Sequence, residues 1–271
     1  ILAQQMLGDG APRMLTTLHG TDITIVGQDH SFFEITKFGI ERSDGVTAVS
    51  EFLRRMTLEE FQVSRPIDVI SNFVDLEQYP TEKGDRAGIA KPGQRVLLHV
   101  SNFRPVKRPL DTVRIFERVS REVDAVLLMV GEGPERSSAQ ALARRLGVLD
   151  RLRFLGTQQD IAEIAAMADV FLLPSELESF GLSALEAMAC GVPVVGSDAG
   201  GLPEVVRHAE SGYLLPVGDV EGMAARTIEI LKDDERRRAM GEAARHRVES
   251  LFDADRVVSQ YEAAYARVLG V

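Results

Sequence analysis

Between residues 95 and 216 the sequence alternates short, mostly apolar runs with segments of helical periodicity, a pattern few folds accommodate. The runs are RVLLHV at 95–100, AVLLMV at 125–130, LRFL at 152–155, VFLL at 170–173, then 192–196 and 213–216. An apolar run without polar alternation suits a strand buried on both faces, as the strands of parallel sheets are. Helical spacing follows at 109–120, 134–146, 160–167 and in LSALEAMAC, which stops at Gly191, a residue type favoured just past a helix. Strand then helix, repeated, predicts a parallel sheet with crossover helices on both faces, the doubly wound α/β class. Three amphipathic segments, 220–232, 234–251 and 253–269, close the chain as helices.

Upstream, RMLTTL at 13–18, GVTAVS at 45–50 and 67–71 read as strands, with helices at 31–42 and 51–60. Phe32, Ile35, Phe38 and Gly39 are expected to be the inward side of the first of these helices. Residues 72–93 are polar and rich in Pro and Gly, so a domain boundary is expected there. With 271 residues, 45% of them hydrophobic, the chain can bury one large or two smaller cores. The opening ILAQQMLGDGAP, which has no initiator Met, reads as the end of a helix, and an upstream stretch is expected to be missing.

Charge and cysteine content narrow the partners. Against 31 Lys and Arg stand 41 Asp and Glu, a formal net charge of -10, which repels a polyanion such as nucleic acid but leaves room for a local phosphate site. Cys190 is alone, so no intramolecular disulfide or multi-cysteine zinc site is available, and a reducing cytoplasm is expected. No apolar run approaches the roughly 18–20 residues of a membrane helix.

The strongest candidate site is 174–191, PSELESFGLSALEAMACG, in which Glu178 and Glu186 straddle a strand-to-helix loop. Such a loop opens at the carboxyl edge of a parallel sheet, where ligands of open α/β folds bind, and the helix start offers N–H groups to an anion. Most Glu residues are simply solvated, and a carboxylate near a helix start is favourable by about 0.3–1 kcal/mol, which accounts for Glu178 but not for Glu186 farther inside. A second candidate is SNFRPVKR at 101–108, directly after an apolar strand. Arg104 and Lys107 beside a strand end suit a leaving diphosphate, since charge-assisted hydrogen bonds are worth about 1.5–3 kcal/mol each. His19, in HGTD after the first strand, stands among small and polar residues that favour a ligand-facing place, although a lone His is more often structural. GEGPE at 131–135 imitates a dinucleotide fingerprint without its third Gly, and reads better as a tight turn. The glycine turn DAGGLPE at 198–204 faces the same edge.

HGTD, SNFRPVKR, GEGPE, ESFGLSALEAMACGVPVV, GGLPEVV and GYLLPVGD, in this order and over nearly the whole chain, resemble the retaining GT-B glycosyltransferases of family four. Within that family, TLHGTDIT, VTAVS, HVSNFRPVKR and ESFGLSALEAMACGVP look most like the members that transfer N-acetylglucosamine to L-malate on the way to bacillithiol. The resemblance implies two Rossmann-like domains, with residues 1–75 the remnant of an acceptor-binding domain that is incomplete here, 76–251 the nucleotide-sugar domain, and 252–271 a helix crossing back to the first. It implies a diphosphate held by Lys107 together with Asn102 or Arg104, and ribose hydroxyls held by Glu186. The sugar then falls to Glu178 and the backbone of Phe180, Gly181 and Leu182. His19 would line the reaction centre as a catalytic residue with Glu178 and Lys107, and Thr21 and Lys37 would meet the malate carboxylates. The donor expected is UDP-GlcNAc, with no metal or other cofactor. The partners are small molecules, with self-association allowed, and this chain alone is expected to turn over little. Three alternatives remain: a family-four transferase with another acceptor, a UDP-sugar epimerase on the same fold, and a non-catalytic sugar-nucleotide binding module.

Overall fold

A computed structural model of the chain describes residues 6–20, 23 and 30–271. They form two compact units, one of residues 1–73 with 254–271 and one of residues 74–253.

The larger unit carries six strands: β4 (Arg95–Val100), β5 (Ala125–Val130), β6 (Leu152–Gly156), β7 (Val170–Leu173), β8 (Val194–Ser197) and β9 (Gly212–Leu215). All pairings are parallel, in the order β6-β5-β4-β7-β8-β9. β5 and β7 are buried along their whole length, which is why their sequences show no polar alternation. The crossover helices are α3 (Pro109–Val119), α4 (Arg136–Arg145), α5 (Ile161–Met167), α6 (Leu182–Ala189) and the short α7 (Leu202–Val205). α3 shows the sequence logic most clearly. Pro109 opens it, Asp111 sits in its first turn, and Val113, Ile115, Phe116 and Val119 are fully buried in the core with Leu97, Leu127 and Met129. Two further helices, α8 (Val220–Lys232) and α9 (Asp234–Leu251), pack on α3 and α6 respectively.

Chain direction reverses its progress across the sheet between β4 and β7. From β4 the chain steps outward to β5 and β6, then returns to the other side of β4 and continues to β8 and β9. β4 and β7 therefore flank the switch point of the sheet, the place at the carboxyl edge where ligands of open α/β folds bind.

The smaller unit is a three-stranded parallel sheet, β1 (Leu15–Leu18), β2 (Gly45–Ala48) and the short β3 (Asp68–Val69), in that order. α1 (His30–Arg42) and α2 (Glu51–Phe61) connect them, and α10 (Ala254–Leu269) belongs to the same unit. Ser50 caps α2 by accepting from the Leu53 amide at 3.1 Å. Val257 and Ala264 of α10 pack with Ile70, Leu15 and Tyr261.

One expectation changes. Phe32, Ile35 and Phe38 are not the inward face of α1; they are 50%, 67% and 43% exposed. The packed face is Phe33, which stacks on Phe61 at 4.8 Å between ring centroids, and Ile40, which is 2% exposed. Apolar residues at 32, 33, 35, 38 and 40 outline two helical faces of similar hydrophobicity, and only the partner surface chooses between them. The polar stretch 72–93 contains the division between the two units, at 73/74, and its remainder is held against the larger unit. Val74 donates its amide to Phe252 O at 3.0 Å, Gly84 to Ala166 O at 3.2 Å, and Tyr79 O accepts from Arg245 at 3.0 Å, so the segment is strapped along the larger unit.

Candidate functional site

The loops leaving β4 and β7 are joined by charge. Lys107 Nζ donates to both carboxylate oxygens of Glu178, each at 2.8 Å, with the Glu178 side chain 10% exposed and that of Lys107 24%. Their backbones are joined too, the Glu176 amide donating to Val106 O at 2.7 Å. Two residues 71 positions apart, both singled out in the sequence, are thus brought into contact at the switch point where ligands of such sheets bind.

A fully buried histidine fixes the start of the first loop. His99 Nδ1 lies 2.9 Å from Leu172 O on the neighbouring strand, and Nε2 lies 2.8 Å from Ser101 Oγ. A carbonyl only accepts, so Nδ1 carries the proton and Nε2 accepts from the Ser101 hydroxyl, whose oxygen in turn accepts the Phe103 amide at 3.2 Å. Burial lowers the His99 pKa to about 4, a Leu172 hydrogen bond opposes that, and nearby Lys107 adds to it, so the ring is neutral at physiological pH. His99 is inconspicuous in the sequence because it sits inside the largely apolar RVLLHV; a polar residue within a strand buried on both faces is its only signal.

The glycine motifs serve the same two loops. A Cβ on Gly131 would sit 1.8 Å from Ser101 O, and one on Gly133 would sit 1.9 Å from Asn102 O, so GEGPE is a backbone wedge behind SNFRPVKR. A Cβ on Gly200 would sit 2.0 Å from Glu178 O, while the Gly201 amide donates to that same oxygen at 2.7 Å. DAGGLPE therefore holds Glu178 from behind. Two buried hydroxyls, Ser175 after β7 and Ser197 at the end of β8, have no hydrogen-bond partner among the described residues, and both stand at this carboxyl edge. Unsatisfied hydroxyls at a sheet edge that is otherwise well paired mark a place prepared for a polar ligand or water.

Glu186 is the fifth residue of α6, behind the loop. Burial raises its pKa, and the Tyr79 hydroxyl, 3.5 Å away at the outer limit of a hydrogen bond, opposes that. Tyr79 is itself pushed up to about 12, first by burial and then by the Glu186 charge. Its place in a segment that reads as a polar boundary hid it from the sequence. Gly181 caps α6, Phe180 is buried edge-on against Phe252 at 5.7 Å, and Leu182 is 44% exposed. The Phe180 ring is thus a packing group, which leaves its backbone to face a ligand. Asn102 and Arg104 are exposed, and Arg104 has no carboxylate within ion-pair distance among the described residues, so it is the uncommitted cation of the loop. Arg108 is committed to Asp111 at 2.6 Å.

In the smaller unit His19 is exposed immediately after β1 and Lys37 is half-buried on α1. Thr21 lies outside the described residues. Among the described residues no group of three His, Cys, Asp or Glu side chains could hold a metal ion, and no helix is long and apolar enough to cross a membrane.

The family model described as "Glycosyl transferases group 1" matches residues 81–247, and "Glycosyltransferase Family 4" matches residues 2–78. The chain belongs to this glycosyltransferase family. It is 47% identical over 272 aligned residues to the N-acetyl-alpha-D-glucosaminyl L-malate synthase of Bacillus anthracis, covering 99% of this chain and 71% of that protein. It is 29% identical to a GDP-mannose-dependent alpha-(1-6)-phosphatidylinositol monomannoside mannosyltransferase of Mycobacterium tuberculosis, covering 96% of this chain and 71% of that one. Sucrose-phosphate synthase from Thermosynechococcus elongatus superposes with a TM-score of 0.85 at 25% identity, over 98% of this chain and 70% of that chain. An Anabaena protein crystallised with UDP-glucose superposes at 0.82 with 22% identity, over 96% of this chain and 72% of that chain, which speaks for the fold alone. The glycosyltransferase is thus a GT-B fold enzyme that uses a nucleotide sugar, and the place between the β4 and β7 loops is the part of the larger unit with the features of a site.

Proposed function

We propose that this glycosyltransferase moves N-acetylglucosamine from UDP-GlcNAc to the hydroxyl of L-malate with retention at the anomeric carbon. The observation that carries this reading is the Lys107–Glu178 pair at the switch point, in a chain 47% identical to an N-acetyl-alpha-D-glucosaminyl L-malate synthase. Lys107 and exposed Arg104 are the cations placed to take up the diphosphate, Asn102 stands beside them, and Glu186 on α6 takes the ribose hydroxyls. Glu178 and the backbone at 180–182 take the sugar. His19, with Thr21 and Lys37, is assigned to the acceptor side.

The chemistry follows from where charge develops. As the bond between the anomeric carbon and the UDP oxygen breaks, negative charge gathers on the departing diphosphate, and fixed cations lower the barrier by stabilising that charge. Glu178 is engaged through both oxygens by Lys107 at 2.8 Å, which lowers its nucleophilicity, so a covalent glycosyl-enzyme is disfavoured. The malate hydroxyl instead attacks the face the diphosphate leaves. The new carbon–oxygen bond forms on that face, and the hydroxyl proton passes to a departing phosphate oxygen. No metal or other cofactor is needed in this scheme, since Lys107 and Arg104 neutralise the leaving group.

The test is product analysis with UDP-GlcNAc in the presence and absence of L-malate, the anomeric configuration being read by NMR. Malate-dependent release of UDP and an α-linked product are expected. Sugar turnover independent of malate would move the assignment to an epimerase. Nucleotide binding with no turnover under any acceptor would move it to a binding module.

A further inference from the structure

At the opposite, amino edge of the larger sheet lies a second cavity of about 780 Å³, within the range of small-molecule sites. Its wall is built around Asp169, which is 2% exposed and accepts the Val96 amide at 2.9 Å at the start of β4. Arg86 and Arg237 share this one carboxylate, at 3.0 and 3.4 Å. Lys83 belongs to the same wall; its Nζ donates to the Ala168 carbonyl and has no carboxylate within ion-pair distance among the described residues. Arg95 and Arg237 share Asp234, at 2.9 and 2.8 Å. The lining as a whole holds six Lys and Arg side chains, Arg238 and Arg245 among them, against four carboxylates, Asp85, Asp169, Glu242 and Glu249, an excess of cations in a chain whose formal net charge is -10.

The donors are also incompletely used. Nε and Nη2 of Arg86 and Nε of Arg237 are buried with no hydrogen-bond partner, although Arg86 Nη2 lies within ion-pair distance of Asp169. A guanidinium offers five donors in a fixed fork, and leaving several of them buried and unpaired is costly. Burial lowers the Lys83 pKa to about 8, Asp169 opposes that, and Arg86 and Arg237 add to it. What the wall lacks is an acceptor with negative charge and several oxygens.

We propose that this cavity binds a small phosphate ester, at a site separate from the nucleotide-sugar site, through Lys83, Arg86 and Arg237. The two places sit at opposite ends of the same strands: Asp169 immediately precedes β7, whereas Glu178 lies in the loop that follows it. A monophosphate presents three oxygens to a fork and an ammonium, and the remaining volume accommodates a sugar-sized body.

The experiment uses the whole chain saturated with UDP, so that the nucleotide-sugar site is occupied, and hexose 6-phosphate, inorganic phosphate and the uncharged hexose as probes. Amine acylation at pH 7.5 is followed at Lys83 and Lys107 by mass spectrometry. Hexose 6-phosphate is expected to slow labelling of Lys83 at least fivefold without changing Lys107, and the uncharged hexose to do nothing. Equal protection by inorganic phosphate would identify free phosphate as the ligand. Lys83→Gln, which leaves Asp169 with both arginines, should weaken hexose 6-phosphate binding by calorimetry at least tenfold while UDP binding is unchanged. Unprotected Lys83 in the wild type, full affinity in Lys83→Gln, or displacement of the phosphate ester by UDP would each overturn the proposal. The labelling arm needs no variant, so a misfolded Lys83→Gln protein would not shield the idea.

Discussion

Glu178→Gln tests whether the Lys107–Glu178 pair competes with the nucleotide or cooperates with it. The Lys107 ammonium is already engaged by two oxygens of Glu178 at 2.8 Å. A diphosphate that uses Lys107 has to draw it away from Glu178 or share it. A charge-assisted hydrogen bond has a net worth of about 1.5–3 kcal/mol, and partial exposure of Lys107 reduces that to about 1–2 kcal/mol. Glutamine keeps the shape and one acceptor but loses the charge, so most of this competition disappears, along with the repulsion between the carboxylate and the phosphates. UDP is then expected to bind about 5- to 30-fold more tightly, since 1.4 kcal/mol is tenfold. Uridine, which has no phosphate, should bind as before.

Transfer should fall in the same variant, by about a hundredfold or more, because the group assigned to the sugar has lost its charge. The assay is calorimetry with UDP and with uridine, paired with initial rates of UDP release and a thermal melt to show that the fold is kept. Tighter UDP binding with slower transfer separates binding from chemistry in one residue. If Glu178→Gln weakens UDP as much as Lys107→Ala does, Glu178 steers the ammonium toward the phosphates, and the competition argument is wrong.

Lys107→Ala should weaken UDP about ten- to a hundredfold and leave uridine unchanged, because the lost contact is to phosphate and a bare Glu178 then faces the diphosphate; equal losses for both ligands would reject the assignment. Glu186→Gln should raise the melting temperature at pH 7 but not at pH 4. Its carboxyl pKa is raised by burial, so the folded state loses stability as pH rises from 4.5 through the raised value. The same variant should weaken UDP and uridine alike, since the contact assigned to it is to ribose, and uridine affinity left intact would remove that role. His99 has the opposite sign: with a folded pKa of about 4 against 6.5, the unfolded chain binds the extra proton, and stability is lost as pH falls from 6.5 toward 4. Between pH 7 and pH 5 this is worth about 2 kcal/mol, which urea unfolding of the wild type should show and His99→Asn should lack.

What the sequence disclosed and what it withheld divide along a physical line. The doubly wound unit is legible because β5 and β7 are buried on both faces and are apolar throughout, β4 nearly so, while α8 and α9 carry clear helical periodicity. α1 was misread at the level of its face, since two apolar stripes compete and the winner is set by Phe61, which lies far along the chain. Lys107 and Glu178 were each legible as residues of strand-end loops, but their contact depends on β4 and β7 being neighbours, a property of sheet order that local sequence does not contain. Tyr79 shows the same limit: its segment is polar and proline-containing, and only the strapping of that segment to the larger unit brings its hydroxyl to Glu186.

The glycine motifs reveal how this site is kept in shape. Phosphate-binding loops are often assigned to glycines because backbone amides approach the ligand closely, yet here the space freed at Gly131 and Gly200 is filled by the carbonyls of Ser101 and Glu178. A side chain at either position would have to displace backbone that carries a site residue, not ligand. His99 adds a third restraint on the first loop, through a hydrogen-bond chain that works only while the ring is neutral. The ligand-facing groups are therefore supported from behind by contacts that themselves make no call on the substrate. Positions of this kind hold a site within the few tenths of an ångström that transition-state stabilisation demands. In this glycosyltransferase Gly131, Gly200, Ser101 and His99 set the backbone on which Lys107 and Glu178 stand.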